Sequence, residues 1–255
     1  TPTGAGPTKR HALLVVDGLA LDQWVPVRNA LREQLAADVR LEEDVAFAWI
    51  PTLTGVSRQA IFAGQPPFLF EKSLGGTSKE KDHWQRFWGE RGASRAEIGY
   101  ACQAKQEPDV AFFDRVQSLV EHPQMRLLGL VIGTVDQSMH GIVTGTRGLH
   151  SLVRDWARSG ALARMIEALL AAGYEVFLTA DHGNIEGTGL GKPDVGAVAD
   201  ERGQRVHVFA DELTREAVHE QFPGSLPWSP IGLPETYLAL LAPGRMAFIP
   251  EGKRA

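Results

Sequence analysis

Four places in the chain put a carboxylate, an imidazole or a hydroxyl directly after an apolar run. Asp17 follows the run Ala-Leu-Leu-Val-Val at 12–16. Pro51-Thr52-Leu53-Thr54 follows residues 45–50. Asp136, with His140 four residues on, lies at the end of the run 127–135. Asp181-His182-Gly183-Asn184 follows residues 175–180. Asp oxygens and His nitrogens together make borderline ligands that suit Zn²⁺ or Mn²⁺ better than Ca²⁺. Two such cations can polarise a phosphoryl group and stabilise both its attacking and its leaving oxygen. A threonine hydroxyl is a poor nucleophile near neutral pH and needs a metal or a base to activate it. Thr54 is placed at a helix start, where free N–H groups and the positive dipole end favour an anion. Thr52 is the rival hydroxyl, but it precedes the helix.

Each piece has a plainer reading. An Asp after a strand is often a helix N-cap, and so is a Thr. With 13 Asp and 8 His in 255 residues, a D-x-x-x-H pair is expected by chance roughly 0.4 times. Arg58, one turn into the helix after Thr54, can bind phosphate or sit as surface charge, and the residues leave this open. Asn184 is a second candidate phosphate contact. His207, in Arg-Val-His-Val, is a spare imidazole that reads first as a strand residue. What argues for a site is that all four strand ends agree.

The elements that must position these residues alternate. Strands are predicted at 12–16, 45–50, 127–135, 175–180 and 206–209. Helices are predicted at 25–37, 55–63, 149–172 (with a break at Ser159-Gly160) and 211–222. Strands apolar throughout, alternating with amphipathic helices, predict an α/β fold with a mainly parallel sheet sandwiched by helices. In such a sheet ligands bind beyond the carboxyl ends of the strands. Residues 64–108 break the alternation with Pro66-Pro67, Gly75-Gly76, a charged patch at 79–82, and Trp84 and Trp88. They read as a helical, cap-like insertion. The Trp pair reads as local packing ahead of a lid wall, and Asp82-His83 carries no assigned role.

Composition bounds the rest. The chain has 255 residues, a net charge of −5 and 44% hydrophobic residues, which excludes disordered and collagen-like classes. A single cysteine, Cys102, excludes a disulfide framework and a Cys₄ zinc site and fits a reducing cytoplasm. No apolar run approaches the ~20 residues that span a bilayer, and no signal-peptide pattern opens the chain. The acidic balance speaks against a broad nucleic-acid-binding face. Residues 1–11 read as a linker or tail and 12–255 as the domain, the whole as part of a longer protein.

The ordered set Asp17, Pro-Thr-Leu-Thr at 51–54, D-x-x-x-H at 136–140 and T-A-D-H-G-N at 179–184 resembles the alkaline phosphatase superfamily. The stretch 51–64 is similar to the nucleophile segment of its nucleotide pyrophosphatase/phosphodiesterase branch. With D-G-L-x-x-D-x-W at 17–24 and W-x-x-F-W at 84–88, the chain resembles a PglZ domain of BREX-type phage-defence systems. The resemblance implies an alkaline-phosphatase-like core and two divalent metal ions, zinc first, with manganese or magnesium as alternatives. One ion would be held by Asp17, Asp181, His182 and the Thr54 oxygen. The other would be held by Asp136, His140 and a third His expected in an H-G-G-like motif near the C-terminus. That motif is absent before Ala255, so His207 is the substitute candidate. The T-A-D-H-G-N stretch is also similar to metal-dependent phosphoglycerate mutases, but their Ser nucleophile context is missing.

The function so implied is a cytoplasmic, metal-dependent phosphohydrolase of phage defence, a phosphodiesterase before a monoesterase, with Thr54 as nucleophile. Its substrate would be a phosphate ester such as a nucleotide or nucleic acid. Its partners would be other phage-defence proteins, with no membrane. The alternative is an interaction or scaffold module of the defence complex with a vestigial metal site.

Overall fold

The structure, a computed structural model, describes residues 9–139, 145–193, 199–202, 204–229 and 231–254. His140 lies outside the described residues. Strands β1 (Arg10–Val16), β2 (Ile98–Cys102), β3 (Leu127–Ile132) and β4 (Tyr174–Ala180) form one parallel sheet in the order β2-β3-β1-β4. Helices α1 (Leu21–Gln34), α2 (Thr54–Ala63), α3 (Glu80–Gly89), α4 (Asp109–Val120), α5 (Thr134–Met139), α6 (Gly145–Arg158), α7 (Ala161–Ala171) and α8 (Glu212–Gln221) connect and cover the strands.

Side-chain alternation along β1 shows how both faces are buried. Ala12, Leu14 and Val16 join the cluster under α1, α4, α6 and α7. Leu13 and Val15 point the other way, into the cluster with Phe62 of α2 and Trp84 of α3. β3, with helices over both faces, is buried at every position, as a central parallel strand should be. Phe62 is fully buried, and one such side chain contributes about 2 kcal/mol.

A second, antiparallel sheet lies further along the chain. It comprises β6 (Ala199–Arg202), β7 (Val206–Phe209), β8 (Leu226–Trp228) and β9 (Leu238–Leu241), in the order β6-β7-β9-β8. β5 (Thr188–Gly189) pairs with β10 (Met246–Ala247). Among the described residues no helix is long and apolar enough to cross a membrane.

Most predicted elements are present, including the break between α6 and α7 at Ser159-Gly160. α8 starts where expected because Asp211 caps it, its carboxylate accepting from Thr214 N at 2.8 Å.

Three expectations need correction. Residues 45–50 form no strand; Val45 and Phe47 are 77% and 104% exposed. Phe47, Trp49 and Ile50 line a surface cleft with Trp228 and Ile231 instead of a ladder. The run 127–135 ends as a strand at Ile132, and α5 starts at Thr134. Gly133 N donates to Gln103 Oε1 and the Thr134 hydroxyl to Asp109 Oδ1, which turns the chain off the sheet. The segment 64–108 is no simple appendage, because its β2 is a strand of the central sheet. Trp84 is buried, its indole N–H donates to Gly99 O at 3.0 Å, and its ring packs edge-on against Trp88. The pair is packing, as the plainer reading held.

Candidate metal and phosphoester site

Parallel register builds the site. Val16 of β1 stands opposite Ala180 of β4, so Asp17 and Asp181 leave the sheet side by side. Gly18 makes the turn possible. Its φ is +70, and a Cβ there would meet Met139 Cε at 2.8 Å. The turn lets Gly18 N donate to Asp181 Oδ1 at 3.0 Å, and His182 N donates to the same oxygen at 2.9 Å. On the other flank Val16 stands opposite Ile132 of β3, after which α5 carries Asp136. Asp136 Cβ lies 3.7 Å from where a Cβ on Gly18 would be, beside the Asp17 turn.

Asp17, Asp181 and His182 each offer one ligand atom, and these atoms lie within 4.8 Å of one another. His182 Nε2 is 3.8 Å from Asp17 Oδ1 and 3.8 Å from Asp181 Oδ2. Both of those carboxylate oxygens are buried without a hydrogen-bond partner. Unpaired buried acceptors are costly, and a divalent cation between them is the partner this donor set suits. Burial first, and then the Asp17 charge, push the Asp181 carboxyl up to about 7.

The imidazole has a defined tautomer. His182 Nδ1 is 2.9 Å from Gly183 O, and a carbonyl only accepts, so Nδ1 carries the proton. In the neutral ring Nε2 then presents its lone pair, and the Thr54 hydroxyl donates to it at 2.9 Å. Thr54 is not the N-cap of α2. Leu53 occupies that position, and Thr54 is the first helical residue, half-buried, while Thr52 is exposed. The residue after it must be glycine, because a Cβ on Gly55 would lie 2.4 Å from Leu74 O.

Two candidate phosphate contacts are already engaged. Arg58 is 5% exposed, so surface charge is excluded as its role. It donates through a terminal nitrogen to Asp17 Oδ2 and through Nε to Glu80 Oε1 at 2.7 Å. Burial opposes its charge, but Glu80 and Asp17 outweigh that and hold its proton more tightly than usual. Asn184 Nδ2 donates to Gly18 O at 2.7 Å and to Gln23 Oε1 at 2.9 Å, and Gln23 Nε2 donates back to Asn184 Oδ1. Asn184 thus stitches the Asp181 loop to the Asp17 loop.

His207 sits in β7, in the second sheet, with its ring 5.1 Å from that of Phe248. Its expected neighbours are Asp136 and His140, and His140 lies outside the described residues. His150 pairs with Asp22 at 3.1 Å.

Glu80 and Tyr100 escaped the reading of the sequence. Glu80 is 1% exposed and accepts from the Tyr100 hydroxyl at 2.5 Å. Burial raises its pKa, against the opposing pull of Arg58. A signal existed: Glu80 lies four residues before buried Trp84 and three before buried His83, on one helical face.

A parallel central sheet flanked by helices, with the site at its carboxyl edge, matches an alkaline phosphatase-like α/β fold. Murine ectonucleotide pyrophosphatase/phosphodiesterase 5 shares it, with a TM-score of 0.66 at 11% identity over 96% of this chain and 81% of that one. The human protein gives 0.62 at 11% identity over 95% and 81%. An inactive variant of the murine protein in complex with AMP gives 0.59 at 12% identity over 94% and 80%. The profile of the family described as the BREX system PglZ alkaline phosphatase-like domain matches residues 2–254. The chain belongs to that family. No curated protein matches it.

Proposed function

We propose that this domain is a metal-dependent phosphoester hydrolase that prefers phosphodiesters, uses Thr54 as its nucleophile, and acts in phage defence. The observation that carries the reading is the 2.9 Å approach of Thr54 Oγ1 to His182 Nε2, beside two buried carboxylate oxygens that lack partners. Membership of a BREX alkaline phosphatase-like family supports hydrolysis of phosphoesters and the defence context. The AMP bound to the fold relative favours a nucleotide-like ester.

Asp17, Asp181 and His182 would hold one divalent ion, zinc first, with manganese or magnesium as alternatives. A second ion would draw on Asp136 and on His140. Bound ions supply Lewis-acid polarisation of the phosphoryl group and lower the pKa of the attacking hydroxyl. The chain's own groups orient the reaction. Gly183 O fixes the His182 tautomer, so Nε2 is the nitrogen left to hold a cation, 2.9 Å from Thr54 Oγ1. The start of α2 favours phosphate oxygens beside Thr54 through its free N–H groups and dipole. Thr54 Oγ1 gives up its proton to solvent and forms a bond to phosphorus as the P–O bond of the ester breaks, and the leaving oxygen takes a proton from solvent to depart as the alcohol. Water then cleaves the phosphothreonine and regenerates the hydroxyl.

Elemental analysis of the purified protein, with mono- and diester assays in Zn²⁺, Mn²⁺ and Mg²⁺, tests this reading. Bound metal with diesterase turnover is expected. Metal without turnover of either ester class points to a scaffold module with a vestigial site and overturns the proposal.

A further inference from the structure

Arg58 presents a problem of geometry. It is a buried cation in direct contact with a carboxylate that the proposed function needs for a metal ion. Unrestrained, a guanidinium prefers to grip a carboxylate with two parallel hydrogen bonds, which would occupy both Asp17 oxygens. Here it takes one. Asp17 Oδ2 receives Arg58, and Asp17 Oδ1 faces His182 with no hydrogen bond. The difference lies at the other edge of the guanidinium, where Glu80 Oε1 accepts from Nε at 2.7 Å. Glu80 is itself fixed, because its second oxygen accepts from the Tyr100 hydroxyl at 2.5 Å.

We infer that Glu80 is a positioning residue that, anchored by Tyr100, holds Arg58 to a single oxygen of Asp17 and so keeps the other oxygen open for a cation. This rests on the metal reading above. The two carriers come from the segment 64–108: Glu80 opens α3, and Tyr100 lies in the edge strand β2. On this view the segment serves the site from behind, as a brace for its ligands.

Two variants that lose the same charge separate position from field. Glu80→Gln keeps an oxygen able to accept from Arg58 Nε, whereas Glu80→Met keeps none. Zn²⁺ affinity, read by competition with a chromogenic chelator, is expected to fall roughly tenfold further in Glu80→Met than in Glu80→Gln, the range found when support to a ligand is lost. The metal-free crystal structure of Glu80→Met should show the guanidinium within hydrogen-bond distance of both Asp17 oxygens. Equal affinities in the two variants would mean that only charge matters, and wild-type affinity in both would mean that Glu80 serves stability alone. Either result overturns the inference, as does Arg58 staying on one oxygen in the crystal. If Glu80→Met does not fold, Glu80→Asp replaces it: the charge stays but the oxygen retreats by about 1.5 Å, and wild-type affinity there overturns the inference. A wild-type protein that binds no divalent ion sinks the proposed function instead, and the crystal structure still decides the positioning.

Discussion

The two four-stranded sheets differ in what their ends can do. In the central sheet β1, β3 and β4 run parallel, so the chain leaves each strand on the same side. Asp17 and Asp181 are more than 160 positions apart in sequence, yet they meet there, and Asp136 stands beside the Asp17 turn. In the second sheet β9 runs antiparallel to both of its neighbours, β7 and β8, so hydrogen-bonded neighbours release the chain at opposite ends. His207 is held mid-strand in that sheet, among Phe209 and Phe248. A histidine or aspartate gains chemistry from the kind of strand end it follows, more than from its own type.

That contrast can be broken in stages, the largest effect first. Thr54→Ala should reduce turnover of a nitrophenyl phosphodiester by about a thousandfold or more, with metal content retained by elemental analysis. Full activity would remove Thr54 from the chemistry and leave the parallel sheet's edge with no assigned nucleophile.

Asp181→Asn should abolish metal binding and at the same time stabilise the metal-free protein. The sign follows from the raised carboxyl pKa. The unfolded Asp181 ionises near 3.8, the ordinary value of an aspartate, but the folded one does so only at about 7. Keeping it folded therefore costs stability that grows from about pH 4 and levels off above about pH 7. Denaturation of chelated protein at pH 8 should show the variant more stable by up to about 4 kcal/mol. The gap should close near pH 4. A variant less stable at pH 8 would refute the sign.

In the second sheet Leu240, fully buried on β9, should behave as packing only. Leu240→Ala should cost about 2–5 kcal/mol in urea titration, with turnover per folded molecule unchanged. The smallest effect is expected for His207→Phe. Metal stoichiometry should match wild type, and activity should stay within about twofold. Loss of one bound ion there would place β7 in the site and erase the contrast between the sheets.

The sequence carried much of this in its strand ends. The apolar runs before Asp17 and Asp136 are visible because a buried parallel strand carries few polar positions, while the half-exposed edge strand β4 is marked by the Asp-His that closes it. α2 and the Ser159-Gly160 break were legible from helical spacing and from glycine. The run 45–50 misled because an exposed aromatic cleft and a buried strand share a composition. β2 was hidden inside a stretch rich in Pro, Gly and charge, with only Ile98 to Cys102 to mark it. The Arg58–Glu80 contact was beyond reach, since residues 22 positions apart meet only once α3 packs beside α2. His140 remains a sequence expectation, because it lies outside the described residues.

Gly55 leads somewhere different. A methyl group there would strike the Leu74 carbonyl, while nothing lies within 4 Å of a Cβ added to Gly76 in the facing loop. Mutational drift should therefore treat these two glycines in opposite ways. In a library of random variants selected for function, position 76 would fill with other residues. Positions 54 and 55 would be depleted together for unlike reasons, one losing its chemistry and its neighbour losing the room to fold.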